Sequence, residues 1–209
     1  MPLSKIQAES MNLADTYAFS GTVSGVGGLV KISTTTASNA TSVSFTGLDT
    51  TSTYSMYKIV LDNVTAQSDN TAVLYARYGI GSTPTYNSSS NYNSVFYSGG
   101  STTIGNTYQN NHGLAQLWLA GLTGDGYRIP GDTFEFLSGT MDLFRMGDSN
   151  HPPQTNWIIG YPMSGVIQAC AFGTGTFSES SEIVNGTAIQ FFMSSGNING
   201  TFTLYGVKS

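Results

Sequence analysis

The chain has 209 residues, a formal net charge of −5 at pH 7, 9% charged residues and 12% aromatic ones. Disorder is excluded, because disordered chains combine few aromatics with high net charge. The seven Lys and Arg residues are scattered, which excludes the cationic clusters that nucleic acid or an anionic membrane surface requires.

Residues 1–28 stand apart from the rest. Their apolar side chains, Leu3, Ile6, Met11, Leu13, Tyr17, Phe19 and Val23, are too sparse for a private core. The segment is expected to be an extended attachment arm laid against its own domain or a neighbour, with Ser24-Gly25-Val26-Gly27-Gly28 as a hinge. The opening MPLSKIQAES lacks the apolar centre of a signal peptide. No apolar run approaches the roughly 20 residues of a membrane-spanning helix, so no membrane insertion is expected.

From residue 29 to 209 the pattern predicts one β domain. Leu29–Ile32 is strand-like, and Ser42–Thr46 alternates with period two. Tyr54–Val64, Val73–Tyr78 and Ser94–Tyr97 follow, with the polar stretches Gly81–Asn91 and 98–113 read as loops. Leu114–Ala120 lies between glycines at a length suited to a strand. Thr133–Leu137, Met141–Phe144, Trp157–Tyr161, Val166–Phe172, Ala188–Met193 and Thr201–Val207 complete the series. Many short strands separated by turn residues predict an antiparallel β-sandwich of jelly-roll-like kind. In the last strand Phe202, Leu204 and Gly206 share one face, and Thr203, Tyr205 and Val207 the other. Both faces carry apolar groups, so this strand is expected inside a sheet, or between a sheet and a neighbouring subunit.

Chemistry is sparse. A chain of this size buries roughly 70% of its unfolded surface and needs no metal or disulfide staple, and no cofactor or metal is expected. Cys170, the lone cysteine, lies in the strand-like Ile167–Phe172 and is expected as a small buried core residue. His112 and His151 fall in loop contexts, without the convergent ligands a zinc site requires. Asp125, Asp132 and Glu135 fit turn chemistry, a calcium site or a pair of glycosidase carboxylates. Glu179 and Glu182 read as a solvated loop. There is no nucleophile elbow, phosphate-binding loop or dinucleotide fingerprint, so no enzyme activity is expected. Tyr86, Asn87, Tyr92, Tyr97 and Tyr108 put rigid aromatic faces beside amides and hydroxyls, a composition suited to a sugar or protein partner. With His112 and His151 they are the candidate ligand-contact loop residues.

Two sets of residues carry a family resemblance. Pro2-Leu3-Ser4-Lys5-Ile6-Gln7 with Ala18-Phe19-Ser20-Gly21-Thr22-Val23-Ser24-Gly25 resembles a motif of phage tail-fibre and related virion proteins. Ser42–Leu48, the Tyr-rich Tyr54–Val60 and the closing Thr203-Leu204-Tyr205-Gly206-Val207-Lys208 resemble a class of phage virion β-domains. The resemblance implies a virion structural protein, a homo-oligomer expected to be a trimer. It would be made in the host cytoplasm and exposed on the particle surface, with its arm on other virion proteins and its knob on a host-surface glycan or protein. Only residues 1–28 precede the β region, whereas phage fibres are commonly long. That leaves three readings: a receptor-binding knob of a tail fibre, a decoration protein stabilising the capsid, and a glycan depolymerase using Asp125, Asp132 or Glu135.

Overall fold

The computed structural model describes residues 28–51, 53–67, 72–100, 107–121, 129, 136–163, 167–177 and 185–208. The arm residues Leu3, Ile6, Met11, Leu13, Tyr17 and Phe19 lie outside them, as do Asp125, Asp132, Glu135, Glu179 and Glu182.

Thirteen strands form within the described residues: β1 (Leu29–Ala40), β2 (Val43–Thr46), β3 (Tyr54–Ala66), β4 (Leu74–Ile80), β5 (Thr85–Tyr86), β6 (Tyr92–Gly100), β7 (Thr107–Leu114), β8 (Leu117–Ala120), β9 (Leu137–Phe144), β10 (Gln154–Met163), β11 (Ile167–Phe177), β12 (Gly186–Met193) and β13 (Ile198–Lys208). They make two antiparallel sheets packed as a sandwich. An eight-stranded sheet runs β1-β13-β3-β9-β10-β11-β6-β7, and a five-stranded one runs β2-β12-β4-β5, with β8 also on β4. The quartets β1-β13-β3-β9 and β2-β12-β4-β8 follow jelly-roll order. The remaining large-sheet strands, β10, β11, β6 and β7, prolong that sheet past β9.

Alternation explains the core. Ile59 and Leu61 on β3, Phe202 and Leu204 on β13, and Leu143 on β9 face Leu74 and Ala76 on β4 and Ile189 and Phe191 on β12, and all are buried. Phe191 and Phe202 meet across the layers with ring centroids 5.4 Å apart. As expected, the closing strand β13 is interior, between β1 and β3.

Glycine marks the differences from the sequence expectation. Ser138-Gly139-Thr140 looks like a break, yet β9 runs through it. A Cβ on Gly139 would sit 2.3 Å from the Ile158 carbonyl oxygen, so only glycine fits this close approach. Likewise β11 continues past Phe172 to Phe177. A Cβ on Gly173 would lie 2.4 Å from Phe96 Cβ and 2.6 Å from Trp157 Cζ2. The expected strand Leu114–Ala120 is instead split at Ala115–Gln116, where the chain turns from the large sheet to the small one. Arg77 holds that corner, donating from Nε to the Ala115 carbonyl at 3.3 Å and from Nη2 to Gln116 Oε1 at 3.0 Å.

Cys170 is exposed on β11, contrary to the expectation of a core residue. Its neighbours Ala169 and Ala171 occupy the inward positions. A strand apolar on both faces conceals which parity is inside.

Candidate functional site

The outer face of the β10-β11-β6-β7 extension follows from register. Trp157, Ile159 and Tyr161 on β10 point inward and are buried, so the intervening Asn156 and Ile158 point out. Ile158 pairs with Phe172, Phe172 with Tyr97, and Tyr97 with Tyr108. These four lie in one transverse row. Ile158 is 67% exposed, Tyr108 66% and Phe172 49%. Phe172 and Tyr97 stack, with centroids 5.1 Å apart and planes 30° from parallel. The adjacent row is Asn156, Thr174, Val95 and Asn110, and beyond it lie Gln154, Thr176 and Asn93.

Two adjoining grooves run over this surface. One, of about 600 Å³, is bounded by Ile158, Phe172, Tyr97, Tyr108 and Val95. The second, of about 310 Å³, is bounded by Asn93, Asn110, His112, Gln154 and Thr176, and shares Val95 and Thr174 with the first. The four strands contain no Asp, Glu, Lys or Arg. Beside it, among the described residues, Lys58 pairs with Asp142. Asp142 pairs in register with Asn156, so this ion pair marks the border of the charge-free region.

Hydrogen bonding distinguishes the polar groups. Thr174 and Thr176 donate to the carbonyls of Thr155 and Pro153, at 3.1 and 2.8 Å. Their hydroxyl lone pairs stay open as acceptors. Asn93 Oδ1 accepts from Gly113 N–H at 3.2 Å. By contrast, no hydrogen bond within the described chain involves the side chains of Gln154, Asn156, Asn110 or His112. Among the described residues, no group of three His, Cys, Asp or Glu converges as a metal site would require.

The expected site residues fall into four places. Tyr97, Tyr108 and His112 come together on this face, on β6 and β7 rather than on loops. Tyr86 and Asn87 sit apart, at the end of β5. Asn87 Oδ1 accepts the Ser89 N–H at 2.7 Å and so builds a turn. His151 lies in the β9–β10 loop, with Nδ1 2.9 Å from Asp148 Oδ2.

Tyr92 corrects the loop expectation most plainly: it opens β6 and is 1% exposed. Its hydroxyl accepts Tyr78 N–H and donates to the Asn87 carbonyl, both at 2.9 Å. Its ring lies 4.6 Å from that of Phe177. Burial raises the Tyr92 phenol well above its ordinary pKa. This side chain pins the β5–β6 connection and offers nothing to a ligand.

Ile158, Phe172, Asn156 and Thr174 escaped the sequence reading. A signal was available, since an unbroken Trp157-Ile158-Ile159 in a strand must turn one apolar side chain outward. The chain matches no protein-family model, no curated protein and no solved structure.

Proposed function

We propose that the chain is a surface-exposed, oligomeric β-knob of a phage virion, part of a tail-fibre or receptor-binding apparatus that attaches to the host surface. It acts by binding and not by catalysis. The observation that carries this reading is the outward face of β10-β11-β6-β7. Four adjacent strands without a single charged side chain present Ile158, Phe172 and Tyr108 to solvent. A contiguous exposed apolar patch rimmed by polar groups is what interaction surfaces present. The phage-like motifs of the two chain ends add the setting, a particle surface.

Copy number tests the setting. Quantitative mass spectrometry of purified particles, against the major capsid protein, should give a few to a few tens of copies for a tail component. Hundreds of copies would overturn the attachment reading in favour of capsid decoration. Light scattering at micromolar concentration should show an oligomer, and a monomer would remove that part of the proposal.

A further inference from the structure

We infer that the outer face of β10-β11-β6-β7 binds an uncharged saccharide chain. The inference rests on the reading of the chain as a binding knob and supplies its ligand class and its location. Charge narrows the ligand first. These strands carry no Lys or Arg for a sulfated, sialylated or phosphate-bearing polymer, and no Asp or Glu for a cation. An ionic ligand would lose its hydration here with no opposite charge to replace it.

The arrangement of side chains narrows it again. Tyr108 and Phe172 offer exposed aromatic surface, against which the C–H face of a pyranose can lie. Around them Gln154, Asn156, Asn110 and His112 keep their hydrogen-bonding groups uncommitted within the described chain. An amide offers a donor pair and an acceptor on one planar group, matching sugar hydroxyls that both give and take. A second copy of this chain is the rival occupant. It would have to pair or bury those amides and the imidazole beside the apolar row, and each left unpaired costs free energy. Sugar hydroxyls satisfy them directly.

Size agrees. From the Ile158 row to the Gln154 row is four residues, about 13 Å, and from β10 to β7 three inter-strand steps, about 14 Å. The two grooves, about 600 and 310 Å³, lie within the roughly 300–1,000 Å³ of small-ligand sites. The surface accommodates a short oligosaccharide stretch lying across the strands.

The test uses the full chain on an array of neutral, sialylated and sulfated oligosaccharides, followed by calorimetry on those bound. Neutral glycans should bind in preference to anionic ones. Tyr108→Ala and Asn110→Ala should each weaken binding roughly tenfold, the equivalent of about 1.4 kcal/mol, with the thermal midpoint unchanged because both residues are exposed. Tyr86→Ala, away from the face, should change nothing. Failure of every neutral glycan to bind, a preference for anionic ones, or binding indifferent to Tyr108→Ala and Asn110→Ala would overturn the inference. Cys170 gives an independent check, since it lies on β11 two residues from Phe172 and points to the same side. It should react with a bulky maleimide in the native protein. Protection would show another copy covering the face and would likewise overturn the inference. A tail-like copy number without glycan binding would sink this inference alone. A capsid-like copy number with glycan binding at this face would sink the attachment reading and leave the site standing.

Discussion

The two halves of the eight-stranded sheet share one hydrogen-bonded ladder and differ in what they show to solvent. One outward row runs Lys31, Tyr205, Lys58, Asp142 across β1, β13, β3 and β9, then Asn156, Thr174, Val95, Asn110 across β10, β11, β6 and β7. The next runs Thr34, Thr203, Val60, Thr140, then Ile158, Phe172, Tyr97, Tyr108. The jelly-roll half follows the ordinary rule of a one-sided sheet, apolar inward and polar or charged outward, over most of its surface, with Leu29 and Ile32 on β1 as exposed exceptions. The extension keeps the inward rule with Trp157, Ile159 and Phe96 and abandons the outward one. Backbone pairing is continuous across the border, so the difference resides in side chains, where a fold carries function rather than stability.

The largest expected effect lies in the jelly-roll half. Phe202→Ala empties a fully buried position against Phe191 and should cost about 3–5 kcal/mol in urea unfolding. A loss below about 1 kcal/mol would mean that the layers do not pack through this pair. Next is Gly173→Ala, which sets a methyl group against Phe96, Trp157 and the Val95 carbonyl. Overpacking of this kind costs about 1–3 kcal/mol. Hydrogen exchange should show the loosening in β11 and β6 before β3 and β13. Uniform loosening would mean that the two halves unfold as one unit. Smaller still in stability is Ile158→Lys. At an exposed position it should shift stability by no more than about 0.5 kcal/mol, yet it breaks the charge-free surface and should abolish attachment. Retained attachment would move the binding surface off the extension.

Legibility in the sequence follows the same border. The jelly-roll strand β2 was readable because alternation in Val43–Thr46 matches a face buried on one side, and β13 because apolar groups on both faces of Phe202–Val207 suit a strand with neighbours on either edge. In the extension, alternation is spoiled in two opposite ways. β10 and β11 are apolar on both faces, which left Cys170 and Ile158 without a parity. β7 carries the polar run Gln109-Asn110-Asn111-His112 and reads as a loop; only its pairing to β6 makes it a strand. Gly139 and Gly173 resemble turn residues because their requirement is space beside another strand, and that is invisible along the chain. The candidate site was therefore half legible. Tyr97, Tyr108 and His112 stood out by residue type, whereas their apolar partners looked like core.

The smallest effect concerns the β9–β10 loop, where the chain passes from one half to the other. Asp148 Oδ1 accepts Asn150 N–H at 2.8 Å, and Oδ2 lies 2.9 Å from His151 Nδ1. First the backbone N–H of Asn150 and then the His151 side chain hold the carboxyl below the ordinary 3.8. A depressed carboxylate contributes stability that is complete above its unfolded pKa and is lost as pH falls through the folded value. The contribution should therefore fade only in the acid range below 3.8. The carboxylate is half-buried but still solvent-screened, so the fading should be slight. Titration of the Asp148 carboxyl by NMR should place its midpoint below 3.8. His151→Ala should move that midpoint only partway back, because the larger cause is a backbone group the substitution leaves in place. Complete return to the ordinary value would assign the loop's geometry to the histidine. The connection between the two halves would then be held by a side-chain pair and not by the local turn.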